Sequence, residues 1–273
     1  MSGKARLRLD GKVALLMGAG SVGDGWGNGK ATAALMAREG ASVFCVDLHL
    51  EAAQVTRDVI RAEGGTAEAH RADVGKAQDI EAAARSCMER FGRIDVLVNN
   101  VGISALGGVV EQTEEDWDRV MDVNVKAMFL ACKAAIPRML DQGGGAIVNI
   151  SSIASERWLG VPYVSYAVSK AAVNQLTRVT ALQYAARGIR VNTVLPGLIN
   201  SPHIVEPLRK VYEDVDTMIA TRDRISPTGK MGDAWDVAHA ALFLASDDAK
   251  YINGSELFVD GGLHCQVAAP AVA

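Results

Sequence analysis

Short apolar runs rich in β-branched residues alternate with longer amphipathic segments along the whole chain, and this alternation constrains the fold more than any other feature. It is typical of repeated βα units on a parallel sheet. Several runs are continuously apolar, as in strands buried on both faces. The sequence therefore predicts a doubly wound α/β fold with a seven-stranded parallel sheet and helices on both faces. The predicted strands cover residues 12–17, 42–46, 66–71, 94–99, 146–150, 190–195 and 256–259. The predicted helices, with apolar residues three and four positions apart, cover 30–39, 50–63, 76–91, 113–138, 165–187 and 234–245.

No linker, internal repeat or block of charge marks a domain boundary within the 273 residues. Alternating α/β chains often exceed 200 residues as one unit, so we expect a single domain over residues 1–273. Residues 200–230 hold three of the seven prolines and have weak periodicity, which predicts an inserted loop beside a substrate. Residues 263–273 are expected to form a tail.

Composition and charge exclude several classes of protein. With 49% hydrophobic and 22% charged residues, the chain has enough material for a core and is not disordered. A net charge of −4 gives no overall positive field for nucleic acid or for an anionic membrane, and no run of 18 apolar residues predicts a membrane span. The cysteines Cys45, Cys87, Cys132 and Cys265 have neither paired nor metal-ligand spacing. This predicts buried thiols in a reducing compartment, the cytoplasm, and no metal site.

A glycine-rich segment follows the first strand, with six glycines in the twelve residues 18–29. Such a turn lets backbone N–H groups approach a pyrophosphate, and the following helix presents its positive end to the same charge. A loop without a ligand is the alternative. Gly18, Gly20 and Gly23 fit GxGxxG, but the later glycines then fall inside the first helix, each at about 1 kcal/mol relative to alanine. We prefer a second register, in which Gly18 opens the turn, five residues are inserted, and Gly27-Asn28-Gly29 leads into the helix.

Acidic residues follow the second and third strands. Asp47, eighteen residues after Gly29, can accept hydrogen bonds from ribose hydroxyls and would repel a 2′-phosphate, which favours NAD over NADP. Asp73-Val74 can place a carboxylate beside adenine. Either aspartate can instead cap the helix that follows it.

Tyr166 and Lys170 lie four residues apart on a predicted helix and therefore share one face. A phenol with a pKa of about 10 is a poor base at neutral pH, and a nearby ammonium group favours its ionised form. This spacing is common on helices, so an exposed amphipathic pair is the alternative. Ser151 and Ser152 end the fifth strand, at the edge where open α/β sheets bind ligands. Asn124, on another predicted helix, would by itself be interpreted as a core amide with its hydrogen bonds satisfied.

At this point the chain resembles the short-chain dehydrogenase/reductase family over nearly its whole length. The resemblance rests on motifs that occur in the family's order: the glycine turn, Asn99-Asn100-Val101-Gly102, Asn124, Ser152, Tyr166 with Lys170, Pro196-Gly197 and Val259-Asp260-Gly261-Gly262. Three features depart from the family pattern: Met17 before the first glycine, Val101 in place of alanine, and the insertion in the turn. Trp26, within the insertion, can shield the cofactor or pack against the protein.

The resemblance implies a Rossmann fold, hydride transfer with a nicotinamide cofactor, and a homotetramer with one interface formed by helices near 113–138 and 165–187. It implies that Tyr166 is the general acid/base, and that Lys170 lowers the phenol pKa and holds the nicotinamide ribose. Ser152 would bind the substrate oxygen, and Asn124 would anchor a water linking Lys170 to solvent. The complete set of residues expected to bind the cofactor is Gly18, Gly20, Gly27, Asn28, Gly29, Asp47, Asp73, Val74, Asn100, Val101, Gly102, Tyr166, Lys170, Pro196, Gly197, Ile199 and Ser201. Of these, Ile199 and Ser201 would hold the nicotinamide carboxamide.

The segments after strands four, five and six should form the walls of the substrate pocket. They contribute Ile103, Leu106, Trp158, Leu159, Val161, Tyr163, Ile204, Val205, Leu208 and Met218. Such walls favour a largely apolar alcohol or ketone. Arg157 and His203 leave an acidic substrate as an alternative. Two further hypotheses are an NADPH-dependent reductase of 3-oxoacyl substrates and a dinucleotide-sensing protein without catalysis.

Overall fold

The architecture is a seven-stranded parallel sheet with helices on both faces, as the sequence predicts. The computed structural model describes residues 7–202, 204 and 214–267. The strands of the sheet are β1 (Val13–Met17), β2 (Ser42–Asp47), β3 (Thr66–Arg71), β4 (Val96–Asn99), β5 (Gly145–Ile150), β6 (Ile189–Pro196) and β9 (Glu256–Val259). Their order is β3-β2-β1-β4-β5-β6-β9. Strands β1 to β3 are added in one direction across the sheet and β4, β5, β6 and β9 in the other, so the strand order reverses between β1 and β4. Ligands bind at this kind of switch point, beyond the carboxyl ends of the strands.

Two apolar cores cover the two faces of the sheet, because successive side chains of a strand point to opposite sides. In β1, Ala14 and Leu16 belong to one core, while Val13, Leu15 and Met17 belong to the other. The first core is closed by α1 (Asn28–Arg38), α2 (Leu50–Ala62) and α8 (Ala234–Ala245). The second is closed by α3 (Ala77–Phe91), α5 (Ala127–Asp141) and α6 (Val164–Tyr184).

All seven predicted strands are present, with ends that shift by at most two residues. The largest shift is at β4, which begins at Val96 rather than at residue 94. Asp95 explains it, because its carboxylate accepts the N–H of Val13 at 2.9 Å and pairs with Arg93 at 2.6 Å. These contacts hold the residues just before β4 against the start of β1.

The prediction of one continuous α-helix over 113–138 is wrong. The segment consists of α4 (Glu114–Met121), a π-helical turn (Asp122–Lys126) and α5. The helix predicted over 165–187 ends as α-helix at Tyr184 and continues as a 3₁₀ turn to Arg187.

The segment 200–230 contains more regular structure than its weak periodicity predicts. Strands β7 (Ile199–Asn200) and β8 (Gly232–Asp233) pair with each other, and α7 spans Val215–Ile225. The side chain of Asp214 caps α7 by accepting the N–H of Thr217 at 2.7 Å. The predicted pocket residues His203, Val205 and Leu208 lie outside the described residues, as does the end of the predicted tail, 268–273. Among the helices that the structure describes, none is both long and apolar enough to cross a membrane.

Candidate active site

A cleft of about 1270 Å³ lies at the carboxyl edge of the sheet, where the strand order reverses. Every residue predicted to bind the cofactor lines this cleft. Ser152 lines it as well, between the nucleotide side and the substrate side. Asn124 is the one member of the predicted site that does not reach the cleft surface.

The glycine turn follows the second of the two registers considered from the sequence. Helix α1 begins at Asn28, and the carbonyl of Gly27 accepts the N–H of Ala31 at 3.0 Å. Gly18 has a φ of +82°, and a Cβ on Gly18 would lie 2.8 Å from Cγ2 of Val101. A Cβ on Gly29 would lie 1.8 Å from the carbonyl oxygen of Gly18. The turn is therefore packed so tightly that only glycine fits at these two positions.

Within the inserted stretch, Trp26 packs against the protein and does not line the cleft. The ring of Trp26 lies 4.7 Å from the ring of Trp235 in α8, centroid to centroid. Cations flank this pair, with Lys30 Nζ 4.8 Å from the Trp26 centroid and the Arg38 guanidinium 4.8 Å from the Trp235 centroid. Trp26 is therefore a packing residue that joins the glycine turn to α8.

Asp47 secures the glycine turn from the end of β2. Its Oδ2 accepts the N–H of Gly20 at 2.9 Å, and its Oδ1 accepts the N–H of His49 at 3.1 Å. The residue that caps α2 is His49, without a side-chain hydrogen bond, so Asp47 is not the cap of that helix. Asp73 plays a similar part after β3, where it accepts the N–H of Gly75 at 3.0 Å.

Helix α6 brings Tyr166 and Lys170 to the cleft beside Ser152. Lys170 is only 3% exposed, and its Nζ donates to the carbonyl of Ile150 at 2.9 Å. The same Nζ lies 5.6 Å from the ring centroid of Tyr166. The Ser152 hydroxyl lies close enough to the Tyr166 phenol to favour the ionised form of the phenol. The structure thus brings together the three side chains that the sequence predicts to act together.

Burial dominates the protonation of this cluster. It raises the pKa of the Tyr166 phenol above its ordinary value, while the nearby Ser152 hydroxyl acts in the opposite direction. Burial lowers the pKa of Lys170 to about 8. Lys170 Nζ is held by the carbonyl of Ile150, and the effect of this ammonium group on the phenol pKa stays a prediction.

Asn124 lies in the π-helical turn, fully buried, and ties two segments of the site together. Its Oδ1 accepts the N–H of Ile103 at 2.8 Å, and its Nδ2 donates to the Ile103 carbonyl and to Ser169 Oγ, both at 2.9 Å. Ile103 follows Gly102, at which an added Cβ would lie 3.0 Å from Lys170 Nζ. Asn124 therefore fixes the backbone that faces the lysine.

Most predicted wall residues do line the substrate side of the cleft. Those that do are Ile103, Trp158, Leu159, Val161, Tyr163 and Ile204. Leu106 and Met218 do not; Met218 is 2% exposed and points into the protein from α7. Arg157 lines the cleft and donates to the carbonyl of His264 at 2.9 Å.

Sequence reasoning missed several lining residues of the substrate side. They are Arg119 from α4, Arg222 and Ile225 from α7, and Leu263, Gln266 and Val267 from the segment after β9. Their approach to the cleft depends on how α7 and the C-terminal segment fold back over the sheet edge. No local pattern in the sequence signals that packing.

Comparisons with known proteins agree with this geometry. A family model described as enoyl-(acyl carrier protein) reductase matches residues 23–264. Cyclohexanol dehydrogenase of Acinetobacter sp. (strain SE19) is 40% identical over 259 residues, which are 93% of this chain and 95% of that protein. D-threitol dehydrogenase of Mycolicibacterium smegmatis is 38% identical over 257 residues, covering 93% of this chain and 94% of that protein.

Solved structures match over almost the full length. A putative short-chain dehydrogenase/reductase from Burkholderia xenovorans is 43% identical with a TM-score of 0.89, covering 96% of this chain and 99% of that one. Levodione reductase is 31% identical with a TM-score of 0.89, covering 94% and 99%. The fold and the site define an oxidoreductase that uses a nicotinamide dinucleotide. The chain belongs to the short-chain dehydrogenase/reductase family and is an NAD(P)-dependent alcohol dehydrogenase or ketoreductase.

Proposed function

We propose that this chain is an NAD-dependent oxidoreductase that interconverts a secondary alcohol and a ketone on a largely apolar small molecule, with Tyr166 as general acid/base. The observation that carries the proposal is the meeting of Tyr166, Lys170 and Ser152 in one cleft with the glycine turn. The apolar walls of the substrate side support a largely apolar substrate. Cyclohexanol dehydrogenase, named for the oxidation of a cyclic secondary alcohol, is one of the relatives.

The glycine turn fits the pyrophosphate of a dinucleotide. Gly18 and Gly29 leave no room for a Cβ, so the backbone N–H groups at the start of α1 stay open to an anion. Ser21 Oγ and Asn28 Oδ1 are buried beside this turn, and neither has a hydrogen-bond partner among the described residues. We propose that the predicted residues from the turn, Asp47 and Asp73-Val74 hold the adenosine diphosphate. Asn100-Val101-Gly102, Pro196-Gly197, Ile199 and Ser201 would hold the nicotinamide side.

The proton chemistry of the proposed reaction belongs to the side chains of α6 and β5. A bound nicotinamide cofactor would supply the hydride chemistry, accepting a hydride in oxidation and donating one in reduction. Ser152 would donate a hydrogen bond to the reacting oxygen, and Tyr166 would accept its proton in oxidation or supply one in reduction. Charged Lys170 would stabilise the phenolate and hold the nicotinamide ribose. Asn124 would keep the backbone opposite Lys170 in place and anchor the water that links the lysine to solvent.

The adenosine end of the cleft supports NAD as the cofactor. Asp47, Glu51 and Asp73 line it, and no lysine or arginine lines the cleft in this region of the described chain. A 2′-phosphate would meet carboxylates there without a counter-charge. The lack of a lysine or arginine at this end of the described cleft also weighs against an NADPH-dependent reductase of 3-oxoacyl substrates. The proximity of Tyr166 to Ser152 weighs against a sensor without catalysis.

We propose a homotetramer in which α4, α5 and α6 form one interface. Large apolar side chains on these helices are exposed in the single chain, including Phe129, Val179 and Leu182.

All four cysteines are free thiols; Cys45, Cys87 and Cys132 are buried as predicted, whereas the prediction of a buried thiol is wrong for Cys265, which is exposed. The free thiols support a reducing compartment, the cytoplasm.

Replacing Tyr166 by phenylalanine tests the proposed chemistry. The variant Tyr166→Phe should lose at least about a thousandfold in kcat with cyclohexanol, because no other described group at the Ser152 hydroxyl can take the proton. NADH binding, followed by nucleotide fluorescence, should stay within about threefold of the wild type. Tyr184→Phe, on the same helix but away from the cleft, is the matched control. Undiminished turnover by Tyr166→Phe would refute the role of this phenol.

A further inference from the structure

Tyr163 places a second phenol in the cleft, one helical turn before Tyr166. The two rings meet edge to face, with centroids 5.3 Å apart and an interplanar angle of 81°. The position of Tyr163 is fixed by the backbone, because Tyr163 and Gly107 form a parallel β-bridge. In this bridge the N–H of Val164 donates to the Gly107 carbonyl at 3.2 Å. The Tyr163 phenol therefore has a defined position relative to Tyr166, where the alcohol or ketone oxygen is proposed to react.

The hydroxyl of Tyr163 is available to a ligand. No hydrogen bond of this hydroxyl occurs within the described part of the chain. Burial raises the pKa of Tyr163 to about 12, so the phenol keeps its proton at neutral pH and acts as a hydrogen-bond donor. A half-buried donor without a partner among residues 7–202, 204 and 214–267, on the wall of a cleft, is best satisfied by an acceptor atom of the substrate.

Arg222 adds positive charge to the same region. It lies on α7, lines the cleft, and its Nε is 3.4 Å from Sδ of Met231. Its guanidinium is close enough to Tyr163 to act on the phenol by charge. The surrounding wall is apolar and includes Leu159, Val161 and Ile225. In such a setting the phenol selects for an oxygen acceptor, since an aliphatic group there leaves the Tyr163 hydroxyl without a hydrogen-bond partner.

We infer that Tyr163, assisted by the charge of Arg222, recognises a second oxygen on the substrate, so that the preferred substrates are diols or hydroxyketones rather than simple alcohols. The inference rests on the proposed function and narrows its substrate class. Tyr163 is a specificity residue in this scheme. It takes no proton from the reacting alcohol, which is the role of Tyr166.

The test compares cyclohexanol with 1,2-cyclohexanediol, which share a ring and differ by one hydroxyl. The wild type should oxidise the diol with kcat/KM at least about tenfold higher. Tyr163→Phe should lower the ratio of kcat/KM for the diol to kcat/KM for cyclohexanol by about tenfold or more, mostly through a higher KM for the diol. Arg222→Met should act in the same direction. Tyr184→Phe is again the matched control, and NADH binding by each variant shows that the cleft remains intact.

The outcomes separate the inference from the function on which it rests. Equal losses for both alcohols in Tyr163→Phe, or no preference for the diol in the wild type, would overturn the role of Tyr163 while leaving the alcohol dehydrogenase in place. Absence of turnover by the wild type with every alcohol and ketone tested, with NADH still bound, would overturn both.

Discussion

The carboxylate of Asp47 stabilises the glycine turn and also lies where the proposed cofactor would bind. It accepts the N–H groups of Gly20 and His49, and it lines the adenosine end of the cleft. Its position after β2 follows from the sequence, because a strand of this length ends at that residue. Its bond to Gly20 does not follow, because that contact depends on the path of a turn with an insertion. A Cβ on Gly20 would lie 2.7 Å from Asp47 Oδ2, so glycine is needed for this approach.

Removing the charge of Asp47 should weaken the discrimination between the two nucleotides. Asp47→Asn retains an acceptor oxygen for the turn but loses the repulsion of a 2′-phosphate. The wild type should prefer NAD over NADP by at least about tenfold in kcat/KM, and the variant should narrow that ratio by about tenfold, equivalent to about 1.4 kcal/mol. Steady-state kinetics with both nucleotides at a fixed alcohol concentration measure the ratio.

Asp58→Asn is the matched control, since Asp58 is exposed on α2 and pairs only with Arg57 among the interactions found. It should leave the ratio unchanged. A wild-type preference for NADP would contradict the assignment of NAD to this site.

Element boundaries show which parts of the fold a sequence determines. The strands were predictable because parallel strands buried on both faces need continuous apolar runs. Among the described residues, five α-helices, α1, α2, α3, α6 and α8, begin and end within three residues of the predicted bounds. The π-helical turn at residues 122–126 was not predictable, since its extra residue changes the hydrogen-bond pattern without changing composition. Helix α7 was missed because its apolar residues are few and Met218 alone among them is fully buried.

The insertion in the glycine turn is stabilised by an element far away in the chain. Trp26 packs on Trp235 at the start of α8, and both lie against the core that α1 and α8 share. The sequence left two roles open for Trp26 because its partner is remote. We expect this contact to hold the inserted residues so that the turn keeps its shape before the nucleotide binds.

Removal of the Trp26 ring should therefore affect both stability and nucleotide binding. Trp26→Ala should lower the free energy of unfolding by about 1–3 kcal/mol, through lost burial and the lost aromatic pair. It should also raise KM for NAD several-fold, since the turn must then be ordered on binding. Urea unfolding and steady-state kinetics at equal protein concentration measure the two effects.

Trp158→Ala provides the comparison within the same residue type. Trp158 is 74% exposed and lines the substrate side of the cleft, so its removal should change the free energy of unfolding by less than about 0.5 kcal/mol. Its effect should fall on KM for the alcohol. If the two tryptophan variants unfold at the same urea concentration, the packing role of Trp26 is wrong.

At the scale of the whole molecule, the sheet gathers residues that are far apart in sequence at one edge. Asn100 follows β4, Ser152 follows β5, and Tyr166 and Lys170 come from α6. Their convergence was predictable from the order of strands and helices, because parallel strands end at the same edge. Their protonation was not predictable, since it depends on burial. Lys170 is enclosed on all sides, which lowers its pKa to about 8.

This buried ammonium group should make the stability of the fold depend on pH. Below pH 8 Lys170 is charged in both the folded and the unfolded chain, and its burial costs stability. Between pH 8 and its unfolded pKa of about 10.4, the folded lysine has lost its proton while the unfolded lysine keeps it, so the cost diminishes as pH rises. The full cost is on the order of a few kcal/mol, because the folded pKa of about 8 lies below the unfolded value of about 10.4.

Replacing Lys170 by methionine should therefore stabilise the protein most at neutral pH. Lys170→Met should unfold with a free energy about 1–3 kcal/mol higher than the wild type at pH 7, allowing for the hydrogen bond to Ile150 that it loses. The difference should shrink at pH 9.5, and urea unfolding at the two pH values measures it. Lys133→Met, at an exposed position of α5, should give no such pH-dependent difference. If the difference in free energy of unfolding between Lys170→Met and wild type stays constant or widens as pH rises, the conclusion that burial lowers the pKa of Lys170 is wrong. Lys170 would then keep an ordinary pKa in the folded protein.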